Sequence, residues 1–314
     1  MKRLPLVVIV GPTAVGKTAL SIEIAKAFHG EVINGDAFQV YKRLDIGTAK
    51  PTVDERQGVP HHLLNYIAPD ESFSAAEFQR QAKEAIHRVQ ETGHLPILVG
   101  GTGMYVKSVT SDWQFEDQPA NLAWREKMEQ LANQPGGKEE LHEALRQQDE
   151  AAAERIHQNN TRKVIRALEL IHSGKSAPDP LSQTNPALLY DVIIIGLEME
   201  RSKLYSRIER RVDRMIDQGL VQEVERLYEE GYAHTQAMKA IGYKELVAYF
   251  EGEYSFEQAV DRIKIHSRQF AKRQLTWFKN KETVTWFDMG AEPKSEDFQG
   301  IVKFLEGIVQ DVSK

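Results

Sequence analysis

The sequence predicts an α/β fold: a parallel sheet flanked by helices, with a small all-helical domain inserted into it. Three observations carry this reading. Short apolar runs alternate with helical stretches through the first hundred residues, the pattern of a parallel sheet with crossover helices. A glycine-rich turn joins the first apolar run to the first helix. Strand signals then vanish from about Trp113 to Pro186 and return at Tyr190.

Leu4–Val10 is an almost uninterrupted apolar run, which reads as a strand buried on both faces. Behind Met1, Lys2 and Arg3 it has a passing likeness to a secretion signal. Its seven residues are short for one, however, and the glycine-rich turn and helix behind it suit a buried strand better. Residues 18–28 read as a helix, 31–34 as a second strand, 75–90 as a helix and 95–99 as a third strand. Each strand ends on glycine or a polar turn, at Gly11, at Gly35-Asp36 and at Gly100-Gly101. Ligands of such sheets bind at the carboxyl ends of the strands. Polar helices at 122–133, 138–147 and 161–172 make up the insert, bounded and divided by Pro119, Pro135-Gly136-Gly137 and the prolines of 178–186. Residues 190–197 return to the sheet. Ile208, Val212, Met215, Ile216, Val224 and Leu227 then recur at helical spacing. The division expected is a core of residues 1–112 and 190–314, with residues 113–189 inserted.

Composition bounds the function. The 314 residues suit about two domains. At 41% hydrophobic and 27% charged, the chain is neither disordered nor membrane-spanning, and no apolar run approaches the roughly 20 residues of a bilayer span. Cysteine is absent, which excludes disulfides, thiolate zinc sites and cysteine nucleophiles and suits a reducing cytoplasm, the location expected. The net charge of −6 excludes a uniformly basic coat. It hides two basic stretches: residues 262–281 hold seven Lys or Arg and no acid, and residues 155–175 hold five. Alone, each reads as a solvated helix face.

Gly11, Pro12, Thr13, Ala14, Val15, Gly16, Lys17 and Thr18 satisfy G-x-x-x-x-G-K-[ST] between a strand and a helix, which predicts a P-loop NTPase-like core. The glycines let backbone N–H groups surround an oxyanion, and the helix N-terminus adds its dipole. Lys17 supplies a point charge, and the Thr18 hydroxyl is placed to hold Mg2+. The ligand is a polyphosphate of unspecified kind. The third strand ends in glycines where an NTPase would carry a metal-binding acid, and Glu198 and Glu200 are poor substitutes. Asp36, after the second strand, lies on the same rim. It reads as a turn-capping residue and, equally, as a carboxylate able to orient an acceptor and take its proton. The turn from Gly100 to Gly103 places Thr102 where it could bond a base or ribose. No G-x-S-x-G elbow and no H-E-x-x-H is present, and His61-His62 lacks the spacing of a zinc site.

Together the strings resemble the tRNA dimethylallyltransferases, also called tRNA isopentenyltransferases, of bacterial type. The matching strings are residues 11–18, Asp36 through Tyr41, Asp45-Ile-Gly-Thr-Ala-Lys-Pro51, Gly58-Val-Pro-His-His-Leu63 and Gly100-Gly-Thr-Gly103. Val164-Ile-Arg-Ala-Leu-Glu169, Ala240-Ile-Gly-Tyr-Lys-Glu245 and Ala271-Lys-Arg-Gln-Leu-Thr-Trp-Phe278 complete the series, in order and over nearly the whole chain. The resemblance implies transfer of a five-carbon group from dimethylallyl diphosphate to N6 of adenosine 37 in tRNAs that read codons beginning with U, with release of diphosphate.

On this resemblance Asp36 is the base, and Lys17, Thr18, Mg2+ and Arg207 hold the diphosphate. Contacts to the tRNA anticodon stem-loop are implied for Asp36, Ala37, Phe38, Gln39, Thr102, Gly242, Tyr243, Lys244, Lys272 and Arg273, and for Arg162, Lys163 and Arg166 of the insert. Trp277 and Phe278, beside the last cations, read as core. The protein is expected to act as a monomer, away from membranes. The sequence departs from the family pattern at Ala37, where serine is usual, at Lys163, where arginine is common, and at Ile265-His266-Ser267-Arg268. A kinase or NTPase using ATP in the same loop, a prenyltransferase of free adenine nucleotides and a non-catalytic RNA-binding module are the alternatives. The insert and the basic stretches favour a tRNA substrate.

Overall fold

The computed structural model describes residues 4–113, 115, 122–175, 188–291, 293 and 295–313. In chain order the elements are β1 (Leu4–Val10), α1 (Lys17–Phe28), β2 (Gly30–Asn34), α2 (Val53–Arg56), β3 (His61–His62), α3 (Ala75–Glu91), β4 (Leu95–Val99) and α4 (Gly103–Thr110). Then come α5 (Leu122–Ala132), α6 (Gly137–Gln148), α7 (Glu150–Arg155) and α8 (Thr161–His172). The chain continues through β5 (Tyr190–Glu198), α9 (Arg201–Asp217), α10 (Leu220–Glu229), α11 (Tyr243–Phe250), α12 (Phe256–Lys281), β6 (Thr285–Asp288) and α13 (Ser295–Ser313).

Six strands form one sheet in the order β3-β2-β4-β1-β5-β6, and every adjacent pair is parallel. β1 is central, with Val7 opposite Ile97 on one side and Ile193 on the other. Successive side chains of a strand point to opposite faces. Leu6, Val8 and Val10 accordingly enter one core with Phe78 and Ile86 of α3 and Val106 of α4. Val7 and Ile9 enter a second core with Leu20 and Ile24 of α1 and Ile301 of α13. Burial on both faces is why β1 is apolar throughout instead of alternating.

The four strands read from the sequence are present, and β3 and β6 are additional. β3 has two residues, too few for a periodic signal. β6 is a short edge strand held by pairing with Ile195–Glu198 of β5, not by a hydrophobic pattern of its own. From β1 the chain winds out to β2 and β3, returns through β4, and then places β5 on the far side of β1. This reversal opens a crevice at the carboxyl edge of β4 and β1, beside that of β2.

The contacts divide the chain into Met1–Asp112 with Ala187–Lys314, and Trp113–Pro186. The second unit rejoins the first three residues earlier than position 190, because Leu188 bridges Ser111 and the Leu189 N–H donates to Thr110 O at 3.1 Å. The inserted unit is helical, with its own small core of Leu141, Leu145, Ala152, Val164, Ile165 and Leu168. It contains α7, which the sequence left unassigned. The breakers expected at Pro119 and 178–186, like Met1, Lys2 and Arg3, lie outside the described residues. Among the described residues no helix is long and apolar enough to cross a membrane.

Candidate active site

The carboxyl ends of β1, β2 and β4 border a cleft of about 700 Å³ in the sheet-bearing unit. The glycine loop after β1 forms one wall. Its backbone is left-handed at Gly11 (φ 144°), Ala14 (φ 66°) and Gly16 (φ 111°), and a β-carbon at Gly11 would stand 2.5 Å from Leu197 O. Only glycine fits there. The first turn of α1 has neither a side-chain cap nor an acidic residue, so its N–H groups remain available to an anion. Lys17 folds back on the loop, its Nζ donating to Gly11 O at 2.9 Å and Pro12 O at 2.8 Å. Burial lowers the Lys17 ammonium to about 7; neighbouring Arg211 pushes it the same way and Asp36 opposes. Thr18 is exposed and lines the cleft.

Asp36 faces the loop from the end of β2. Its Oδ1 accepts the N–H of Phe38 at 2.9 Å and of Gln39 at 3.3 Å, while its own N–H donates to Asn34 Oδ1 at 3.1 Å. Asp36 therefore caps a turn, and the same residue lines the cleft.

Helix α9 supplies the cations. Positions 207, 211 and 214 are spaced i, i+4, i+7 and share one helical face. All three arginines line the cleft. Arg207 braces the glycine loop, with Nε donating to Ala14 O at 3.0 Å and Nη1 to Ala291 O at 2.9 Å. Arg211, which the sequence did not single out, is partly buried like Arg207, whereas Arg214 is exposed. Burial lowers the Arg211 guanidinium to about 10, partly offset by Asp36. The signal for it was the helical spacing from Arg207.

The remaining wall is the segment from Asp45 to Gln57. It is held by Glu223 of α10, whose carboxylate accepts the N–H groups of Asp45 (3.1 Å), Ile46 (2.9 Å) and Gly47 (3.2 Å) and the Tyr243 hydroxyl (2.5 Å). Lys50 is buried beneath the segment, donating to Tyr41 O, Asp45 Oδ1 and Asn65 Oδ1. Gln39 Nε2 donates to Thr48 O and Ala49 O.

Several expected tRNA contacts are placed elsewhere. Tyr243 is 0% exposed and Gly242 is buried. A β-carbon at Gly47 would come within 2.4 Å of the Tyr243 ring, so the tyrosine is packed scaffold under the cleft wall, not a surface contact. Lys244 is exposed. The Gln39 side chain is occupied by the loop it braces. Thr102 is the N-cap residue of α4 and is not part of the cleft wall, which Gly100 and Gly101 supply. Ala37 and Phe38 are partly buried beside Asp36.

In the inserted unit Arg162 and Lys163 are exposed in the first turn of α8. Arg166 instead joins Arg125 on Glu169, which is 7% exposed, at 2.5 and 2.7 Å. A buried carboxylate needs such partners, and they tie up the Arg166 charge. Lys272 and Arg273 on α12 are exposed, Trp277 is partly buried and Phe278 fully so. Other cations of the same stretch are engaged: Lys264 with Asp213, Arg268 with Glu209, Lys279 with Glu198, and Arg262 over the Tyr254 ring. Glu198 is thus an ion-pair partner, in keeping with its poor fit as a metal acid. His62 and His94 share Glu31, each at 2.6 Å.

Known proteins resemble this chain over nearly its whole length. The profile of the IPP transferase family matches residues 39–281. A tRNA dimethylallyltransferase of Bacillus anthracis is 51% identical over 311 residues, covering 99% of this chain and 98% of its own length. One from Anoxybacillus flavithermus is 54% identical over 304 residues, covering 96% of each. Among solved structures, the full-length tRNA isopentenylpyrophosphate transferase of Bacillus halodurans matches with a TM-score of 0.75 at 46% identity, over 100% of this chain and 98% of that one. A eukaryotic dimethylallyltransferase acting on tRNA matches with a TM-score of 0.80 at 27% identity, over 98% of this chain and 80% of that one.

Proposed function

The chain belongs to the IPP transferase family, and from that membership we propose that its cleft carries dimethylallyl transfer from dimethylallyl diphosphate to N6 of adenosine 37 in the anticodon stem-loop. The protein is a transferase that moves a dimethylallyl group onto tRNA. The observation that carries the finer reading is the opposition, across one cleft, of a glycine-loop anion cradle with Lys17, Arg207 and Arg211, and a carboxylate, Asp36.

In this reading residues 11–18 and the first turn of α1 bind the diphosphate, and Arg207 holds the loop in shape from behind. The N6 nitrogen attacks the allylic C1 and the C1–O bond breaks. The electron pair leaves with the diphosphate, and the amine proton passes to the Asp36 carboxylate. Lys17 and Arg211 stabilise the charge that develops on the leaving oxygen, where fixed cations act most strongly. The target adenine must leave its stack to reach Asp36.

The residues present suit Mg2+. Thr18 is exposed and lines the cleft beside the glycine loop. Magnesium takes few protein oxygens and completes its shell with water and phosphate oxygens, and Thr18 would hold it here. When bound it supplies Lewis-acid stabilisation to the diphosphate. The exposed Lys272 and Arg273 of α12, and Arg162 and Lys163 of the insert, face the tRNA in this reading. The protein acts as a cytoplasmic monomer on tRNAs that read codons beginning with U.

The test is incubation with unmodified tRNA, Mg2+ and dimethylallyl diphosphate, then mass analysis of digested nucleosides. N6-(dimethylallyl)adenosine is the expected product. Consumption of ATP with no use of the prenyl donor would instead make the glycine loop that of a kinase.

A further inference from the structure

Helix α12 has two unlike surfaces within three consecutive residues. Lys272 and Arg273 are exposed, whereas the next residue, Gln274, is 4% exposed and lines the cleft. Its Oε1 accepts the backbone N–H of Thr13 at 2.9 Å. Its amide nitrogen lies against the second glycine turn: a β-carbon at Gly101 would stand 1.8 Å from Nε2 and 2.9 Å from Cδ. One side chain therefore meets the glycine loop and the turn after β4 from a third segment about 170 residues further along the chain than the turn.

The chemistry suits a carboxamide. A backbone N–H shielded from water, here that of the partly buried Thr13, needs an acceptor. A loop as twisted as this one, left-handed at Gly11 and Ala14, has no sheet or helix ladder to provide it. Glutamine offers that acceptor without charge. Glutamate would bring a negative charge to the site proposed for diphosphate, and methionine would fill the space without bonding. Gly101 is the complement: only a residue without a side chain leaves room for the amide.

We propose that Gln274 is a positioning residue that pins the glycine loop to the RNA-facing helix, so that the shape of the donor cradle depends on a residue adjacent to the tRNA-contacting cations. The proposal rests on the reading of the cleft as the donor site and of α12 as RNA-facing. It divides labour between neighbours: Gln274 governs the donor and Arg273 the tRNA.

Steady-state kinetics on the full chain test it, with wild type, Gln274→Ala, the isosteric Gln274→Met and Arg273→Ala. Both Gln274 variants are expected to raise the KM for dimethylallyl diphosphate about tenfold, the scale of one buried hydrogen bond, and to leave the KM for tRNA unchanged. Arg273→Ala is expected to do the reverse. Calorimetric binding of inorganic diphosphate should weaken in parallel with the donor KM. A role confined to general stability would lower the active fraction, and so kcat, with both KM values intact.

Gly101→Ala supplies the geometric check. It should raise the donor KM in the wild-type background and add nothing to Gln274→Ala, because the side chain it strikes is gone. An unchanged donor KM in both Gln274 variants of an active enzyme, or a Gly101→Ala effect of equal size in both backgrounds, overturns the proposal. A wild type that binds diphosphate but transfers no prenyl group overturns the functional reading instead, and the diphosphate affinities still decide the role of Gln274.

Discussion

Replacing Glu223 by alanine removes one carboxylate that four donors share. Three are backbone N–H groups of Asp45, Ile46 and Gly47, and the fourth is the Tyr243 hydroxyl. Glu223 is 6% exposed and Tyr243 fully buried. Burial first, and the Glu223 charge second, push the tyrosine well above its usual range, so the hydroxyl stays protonated and donates. A hydrogen bond to a charged group contributes about 1.5–3 kcal/mol, so simple addition gives roughly 6–12 kcal/mol. That sum is too large, because Asp45 is exposed and a loosened segment lets its amides reach water. The hydroxyl has no such escape, and an orphaned buried donor costs about 1–3 kcal/mol. We expect a total of about 3–5 kcal/mol by urea denaturation, together with faster hydrogen exchange at Ile46 and Gly47. Because this segment walls the cleft, the donor KM should rise too. Adding Tyr243→Phe to Glu223→Ala should recover part of the loss, since no hydroxyl is then left without a partner. A loss below about 1 kcal/mol with an unchanged donor KM would refute the assignment of Glu223 as the anchor of this wall.

Other expectations concern the same site. Asp36→Ala should cut turnover by orders of magnitude while tRNA binding, measured by filter retention, persists; equal turnover removes Asp36 as the base. Lys17 titrates near 7 when folded and 10.5 when unfolded, so its contribution to stability rises with pH between those values and is most unfavourable below 7. Diphosphate should draw the ammonium form, giving uptake of close to one proton at about pH 8 by calorimetry in buffers of different ionisation enthalpy, and Lys17→Met should abolish it. Affinity for tRNA should fall with salt at a log–log slope of about −3 to −4, from the four exposed cations Lys272, Arg273, Arg162 and Lys163. A slope of about −7 to −9 would mean that every cation of residues 262–281, with Arg162, Lys163 and Arg166, meets phosphate.

What the sequence disclosed and what it hid have different physical origins. The glycine loop, the strand ends and the turn at Asp36 are local: a left-handed φ or an N–H in need of an acceptor is answered within a few residues, so residue type and spacing suffice. The cationic face of α9 was half legible. A helix repeats every 3.6 residues, which groups Arg207, Arg211 and Arg214, but only tertiary placement beside the glycine loop decides that this face lines the cleft while Leu204, Ile208 and Val212 fill the core. Gln274, Glu223 and Tyr243 were illegible for a stronger reason. Each acts on backbone more than 150 residues away, or on a segment with which it shares no periodicity.

The misplacement of Tyr243 has the same cause. A string recurring in an RNA-modifying family, here Ala240 through Glu245, does not say whether it touches the RNA or holds up what does. In this chain Glu245 caps Gly242 N–H at 2.7 Å and takes His266 at 2.5 Å, joining α11 to α12, while Tyr243 supports the Glu223 carboxylate. The departure at Ile265 to Arg268 belongs to this joint: His266 bonds Glu245, and Arg268 pairs with Glu209 of α9. The string thus aligns α12, which carries Arg273 toward solvent and Gln274 into the cleft. Surface charge alone would have credited α12 with seven cations. Subtracting those already paired with acids, and Arg262 at 4.1 Å over the Tyr254 ring, leaves a narrower RNA-facing patch. Arg273, 5.8 Å over the Phe270 ring, stays exposed in that patch, and the salt slope measures the subtraction.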